Sequence, residues 1–168
     1  MSGLAPFAGE RIVRSAAAME DLGRDIGRAL RAGDLVVLTG ALGAGKTTLT
    51  RGVAAGMGVR GPVQSPTFVL ARTHPSLIDG PPLVHVDAYR LGSAAELDDL
   101  GLDLDRSVTV VEWGRGMVDG LVDHWWEIEL DREWARSAGP VPAEEDREAT
   151  DPDMDDDAPR RVTVSRRS

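Results

Sequence analysis

Gly40-Ala-Leu-Gly-Ala-Gly-Lys-Thr-Thr48 is the stretch that decides the fold. It fits the pattern G-x-x-x-x-G-K-[ST], in which a strand runs into a glycine-rich loop and a helix leaves it. Glycines at 40, 43 and 45 let successive backbone N–H groups turn toward one centre, and the positive end of the following helix adds to that anion nest. Lys46 then reaches the β- and γ-phosphates of a bound nucleotide, and the Thr47 hydroxyl is placed for Mg²⁺. Lys46 is also the single lysine among 19 basic residues. A compact ammonium fits between phosphates where a planar guanidinium does not.

The flanks suit the motif. Leu35-Val-Val-Leu-Thr39 reads as a strand buried on both faces, and a helix is expected from Thr47 toward Met57, weakened by Gly52 and Gly56. Upstream, Arg11–Arg14 reads as a short strand. Ser15 caps a helix whose apolar positions are Met19, Leu22, Ile26, Ala29 and Leu30, with Gly33 as its stop. Downstream, strands are expected at Thr67–Ala71, Leu83–Val86, Ser107–Val111, Trp125–Leu130 and Arg161–Val164. Ser93-Ala-Ala-Glu96 is a capping box opening a short helix through Leu100. Strands alternating with helices around a glycine loop give an α/β fold, a P-loop NTPase-like three-layer sandwich with a central mixed β-sheet.

Magnesium needs at least one carboxylate near Thr47. Asp87 ends Leu83-Val-His-Val-Asp87 and Glu112 ends Val108-Thr-Val-Val-Glu112, so both acids stand at the ends of apolar strands. Spacing alone leaves open which of them binds metal and which orients water. His85 shares a strand face with Asp87 and reads equally as structural or catalytic. Arg90 is within reach of a phosphate or of Glu112. Ser65-Pro-Thr-Phe68 occupies a loop where GTPase-like proteins place a nucleotide-sensing switch, although taken alone it reads as an ordinary turn. Trp113, Trp125 and Trp126 read as packing residues and not as stacking platforms, although Trp113, next to Glu112, is also placed to border the site.

Composition sets the outer limits. The net charge of −9 is concentrated between Gly139 and Pro159, where nine acids and one base leave the remainder of the chain at −1. A nearly neutral body without a basic stripe speaks against a direct grip on nucleic acid. Cysteine is absent, which removes disulfides, zinc–thiolate sites and cysteine nucleophiles. No secretory leader or membrane span is evident, so a cytoplasmic protein is expected. The expected organisation is a single ATPase domain over 1–138 plus 160–165, interrupted by an acidic, disordered insertion at 139–159.

Taken together, GALGAGKTT, Ser65-Pro-Thr-Phe68, His85-Val-Asp-Ala-Tyr-Arg90 and Val110-Val-Glu-Trp113, in this order, resemble the bacterial TsaE family, which serves tRNA threonylcarbamoyladenosine biosynthesis. The resemblance runs from about Ser15 to Leu130. It implies an ATP- and Mg²⁺-dependent, weakly hydrolysing accessory ATPase acting with TsaD and TsaB proteins and touching tRNA only indirectly. By position it assigns the phosphates to Leu42, Gly43, Ala44, Gly45, Lys46, Thr47 and Thr48. Mg²⁺ falls to Thr47 and Glu112, catalysis to Lys46, Asp87 and Glu112, and adenine contacts to Ser15–Met19. Departures occur at Ala41, where many relatives carry an acid, and at Arg115 and Gly116, where proline and an acid are common. The acidic insertion is a further one. Two other readings compete. A small-molecule or nucleotide kinase opens with the same loop but usually carries an arginine-bearing lid, which is not evident here. A nucleotide-dependent binding switch would hydrolyse negligibly.

Overall fold

The computed structural model describes residues 3–64, 70–134 and 158–168. In chain order the regular elements are β1 (Gly9–Val13), α1 (Ala16–Ala29), β2 (Leu35–Gly40), α2 (Lys46–Met57), β3 (Ala71–His74), β4 (Leu83–Asp87), α3 (Ala94–Asp98), β5 (Val108–Glu112), β6 (Trp125–Asp131) and β7 (Arg160–Arg167). The strands form one mixed sheet in the order β1-β7-β6-β2-β5-β4-β3. Its centre is parallel: β2 pairs with both β5 and β6, and β5 pairs with β4. Antiparallel β1 and β7 extend one side, and β3 closes the other.

The apolar run of β2 splits by alternation, because successive side chains point to opposite faces of a sheet. Val36 and Leu38 face Met19, Ile26, Leu49 and Val53 of α1 and α2, with Ile128, Leu130 and Val162 alongside. Leu35 and Val37 face the other way, joining Val84, Val86 and Val111 under Leu97 of α3 and Val118. Two cores on opposite faces make the expected three-layer sandwich, the second layer being a short helix and extended chain.

Ser15 caps α1 as its sequence predicts: its hydroxyl accepts from the Ala18 N–H at 3.1 Å. Ser93 does the same for α3 by accepting from Glu96 N, while the Glu96 carboxylate accepts from Gly92 N. That helix ends at Asp98, two residues short of expectation.

The expected weakening of α2 by Gly52 and Gly56 is corrected by the packing. A Cβ on Gly52 would sit 2.1 Å from the Glu20 carbonyl oxygen, and one on Gly56 would sit 2.1 Å from that of Arg24. Gly23 and Gly27 of α1 are equally close to the Leu49 and Val53 carbonyls, at 2.3 and 2.2 Å. Two glycine pairs, each spaced one turn apart, let the two helices meet backbone to backbone. Tertiary packing overrides intrinsic propensity at these positions.

The strand expected at 67–71 lies mostly outside the described residues, and the observed β3 begins where it was to end. The Ser65–Phe68 motif and most of the insertion assigned to 139–159 also lie outside them. Beyond that insertion the chain re-enters the sheet as β7, between β1 and β6, and runs two residues past the expected limit of 165. Among the described residues no helix is long and apolar enough to cross a membrane.

Candidate nucleotide-binding site

The glycine loop leaves the carboxyl end of β2, and α2 starts at Lys46, one residue earlier than its sequence pattern suggests. Gly43 and Gly45 hold φ of 75° and 103°, left-handed values that glycine adopts without steric cost. Gly40 is required for a different reason: a Cβ there would lie 2.7 Å from the Leu130 carbonyl oxygen. Gly45 is the N-cap of α2 and supplies no side-chain acceptor, so the first-turn N–H groups are presented to an outside anion. This arrangement fits a phosphate chain. Leu42 stands exposed at the loop tip, Ala44 is buried beneath it, and Thr47 is half-buried at the helix start. Thr48 is fully buried, and its hydroxyl has no hydrogen-bond partner.

Lys46 is folded back onto its own loop. Its ammonium donates to the Gly40 carbonyl at 2.7 Å and to the Ala41 carbonyl at 3.0 Å, and it lies 4.4 Å from the centre of the Trp113 ring. Loop carbonyls and an aromatic face thus hold the charge that a phosphate would otherwise neutralise. Burial pushes the Lys46 pKa below its usual 10.5, against the opposing pull of the Glu112 and Asp87 carboxylates. The cation is thus lost at a lower pH than for a free lysine. ATP affinity is therefore expected to decline as pH rises, beginning below 10.5. A binding titration across alkaline pH checks this, and constant affinity up to 10.5 would contradict it.

The two acids converge because their strands are neighbours in register. Asp87 of β4 pairs with Glu112 of β5, and Glu112 pairs in turn with Leu38 of β2, two residues before Gly40. All three positions stand at the carboxyl edge of the parallel sheet, where α/β folds place ligands. Glu112 is buried, with its carboxylate 3.2 Å from Nε2 of the fully buried His85, a close contact that lacks hydrogen-bond geometry. This places His85 behind Glu112 and away from solvent. Asp87 caps the 3₁₀ turn Ala88–Arg90 by accepting from Tyr89 N at 3.0 Å. Arg90 lies exposed on that turn, and Glu112 has His85 as its partner in place of the arginine.

Trp113 has φ of 61°, unusual for a residue with a side chain. Its N–H donates to the Leu38 carbonyl at 3.2 Å, and its ring meets that of Tyr89 at a centroid distance of 5.4 Å. The turn after it is tied down by Arg115, which donates to Glu127 at 2.5 Å and Glu129 at 2.8 Å. Those hydrogen bonds hold the Arg115 pKa above its ordinary value. Trp126 is buried packing, as expected, and Trp125 is half-buried beside a cleft of about 460 Å³ that Gly33 and Asp34 help to line. Gly33 and Asp34 immediately precede β2, so this cleft lies at the end of the parallel strands opposite the loop.

The adenine contact expected at Ser15–Met19 is not supported at its far end, because Met19 is fully buried in the core. Sequence reasoning also missed Arg132 and Arg160, which reach carbonyls of the loop from 90 and 117 residues away. No local pattern announces contacts of that span. Among the described residues no three acids or histidines gather into a ready-made metal cage. Magnesium in nucleotide sites usually takes one or two carboxylates together with substrate phosphates, and the donors Thr47, Glu112 and Asp87 are of that oxygen type.

Comparison with known proteins places the chain. A family model described as threonylcarbamoyl adenosine biosynthesis protein TsaE matches residues 13–138. The tRNA threonylcarbamoyladenosine biosynthesis protein TsaE of Streptomyces coelicolor is 62% identical over 117 residues, covering 68% of this chain and 79% of that protein. Its Mycobacterium tuberculosis counterpart is 51% identical over 120 residues, covering 66% and 71% respectively. The crystal structure of Bacillus subtilis YdiB superposes with a TM-score of 0.63 at 26% identity, covering 92% of this chain and 82% of that one. With its fold and three-quarters of its length accounted for, the chain belongs to the TsaE family of threonylcarbamoyl adenosine biosynthesis proteins.

Proposed function

We propose that this protein is a weak, magnesium-dependent ATPase that serves threonylcarbamoyl modification of the adenosine beside the anticodon in tRNA. In this reading it acts in the cytoplasm as an accessory subunit of TsaD- and TsaB-type proteins and meets tRNA only through them. The observation that carries the reading is the convergence of Lys46, Asp87 and Glu112 at one edge of the parallel sheet, with both carboxylates acting on the Lys46 ammonium. The nearly neutral body outside the acidic segment suits a protein that does not grip RNA itself.

Leu42, Gly43, Ala44, Gly45, Lys46, Thr47 and Thr48 surround the phosphates, which bind through the Lys46 ammonium and the loop N–H groups other than that of Ala44, which donates to the Ala41 carbonyl and closes the inner turn. To do so Lys46 exchanges the Gly40 and Ala41 carbonyls for phosphate oxygens, a change from neutral to charged acceptors. Thr47 and Glu112 would hold Mg²⁺, which supplies charge neutralisation across the phosphates and orients them for in-line attack. The buried His85 imidazole packs against the Glu112 carboxylate on the side away from solvent. Asp87, adjacent in register, sits where it can orient the attacking water. Burial of Glu112 keeps bulk water from competing for its carboxylate. The proposed functional unit is a single domain over 1–138 plus 160–165, with 139–159 as an insertion.

Glu112→Gln tests the assignment, since it keeps the side-chain shape and removes the charge. ATP hydrolysis is expected to fall by about 10²-fold or more, a typical cost of losing one group that stabilises charge at the reacting atoms, while ATP still binds. Hydrolysis measured with and without Mg²⁺, beside equilibrium binding, distinguishes the two. Unchanged turnover in Glu112→Gln would remove this acid from the mechanism.

A further inference from the structure

Arg132 and Arg160 are conspicuous for what they touch. Arg132 follows β6 and donates through Nη1 to the Leu42 carbonyl at 2.8 Å. Arg160 opens β7 and is 1% exposed, with Nη1 on the Ala158 carbonyl at 2.5 Å and Nη2 on the Gly43 carbonyl at 3.2 Å. The two segments are locked to each other as well: Arg161 pairs with Asp131 both in sheet register and by a 2.9 Å ion pair.

We propose that Arg132 and Arg160 are positioning residues of the phosphate loop, holding its outer carbonyls so that the loop keeps its nucleotide-accepting shape. This rests on reading 40–48 as a phosphate site. A trans peptide directs its C=O and N–H to opposite sides. Holding the Leu42 carbonyl from outside therefore turns the Gly43 N–H toward the concave side of the loop. Holding the Gly43 carbonyl fixes the next peptide, whose Ala44 N–H donates to the Ala41 carbonyl at 3.1 Å and closes the inner turn. Gly43 sits at a positive φ and has no side chain to stiffen it. A loop this rich in glycine needs outside restraint, or ordering it on binding would cost affinity. A buried guanidinium is costly unless hydrogen-bonded, so the placement of Arg160 against the Gly43 carbonyl ties strand β7 to the loop's conformation. Arg160 lies beyond residues 13–138, the stretch matched by the family model. One of the two restraints therefore comes from the final strand, which reaches the loop only after the acidic segment has been traversed.

The test is carried out on the full chain, comparing wild type, Arg132→Ala, Arg132→Lys and Arg160→Lys. Equilibrium binding of Mg-ATP, the KM and kcat for hydrolysis, and thermal unfolding are each measured. Arg132→Ala is expected to weaken ATP binding and raise KM about tenfold. Its kcat should stay within about twofold and its unfolding temperature should not change. Arg132→Lys restores part of the affinity, because an ammonium still donates to the Leu42 carbonyl. Arg160→Lys keeps the charge but loses the second donor, and should show an intermediate loss. If Arg160→Lys fails to fold, Arg132→Ala decides alone. Wild-type affinity in Arg132→Ala would overturn the proposal, as would a loss that tracks a fall in unfolding temperature and is not restored by lysine. If wild type itself does not bind ATP, the phosphate-site reading fails first, and that outcome is distinct from wild type binding while Arg132→Ala binds equally well.

Discussion

Lys46→Ala is expected to weaken ATP binding by at least about a hundredfold, about 2.7 kcal/mol, within the range seen when one partner of a buried charged contact is truncated. In the free protein the ammonium is held by two loop carbonyls and the Trp113 ring. All of these are weaker partners than a phosphate, so in the proposed reading the charge is held in readiness for the ligand. Lys46→Arg should recover little, since a planar fork replaces a point charge in a site walled by backbone. Because Lys46 also closes the loop onto itself, the circular dichroism spectrum of each variant is needed beside the isotherm. An alanine variant that folds and binds ATP with wild-type affinity would show that the loop holds phosphate without its lysine.

The second large effect lies away from the phosphates. Gly52→Ala in an isolated helix would gain about 1 kcal/mol from propensity. Here the sign reverses, because the new Cβ would stand 2.1 Å from the Glu20 carbonyl oxygen and 2.9 Å from the Gly23 Cα. Neither neighbour is the end of a flexible side chain, so α1 and α2 must separate. Overpacking against backbone costs about 1–3 kcal/mol, and its upper end is the expected loss here. For a chain of this size that lowers the unfolding temperature by roughly 6 °C or more. Nucleotide affinity should fall along with stability, since α2 begins with Lys46 and Thr47 and takes its direction from α1. Unchanged or raised thermal stability in Gly52→Ala would mean that the helices do not meet at these glycines.

The contrast between these two sites explains what was legible in the sequence. The loop, the strand before it and the helix after it follow from local chemistry: positive φ at Gly43 and Gly45, an apolar run in β2, a cap at Ser15. Asp87 and Glu112 could be picked out because each ends such a run, but their pairing in register depends on strand order, which no single segment encodes. Gly52 and Gly56 looked like weak points because propensity is a property of one helix, whereas their purpose lies in the facing helix. His85 was ambiguous for a related reason, as its role depends on Glu112, a neighbour across the sheet. Arg132 and Arg160 gave no signal: a guanidinium on a loop carbonyl leaves no periodicity behind. Arg115, noted in the sequence only as a departure from the residues common in relatives, ties the turn after Trp113 to β6 through Glu127 and Glu129.

The most direct test of the whole account is to count tRNA molecules modified per TsaD–TsaB complex. Reactions contain ATP, threonylcarbamoyl donor and either wild-type protein or Lys46→Ala. Wild type is expected to sustain many rounds, while Lys46→Ala should stall the complex after about one. Equal, repeated modification with both proteins would contradict the assignment of this loop as the ATP site that drives the cycle.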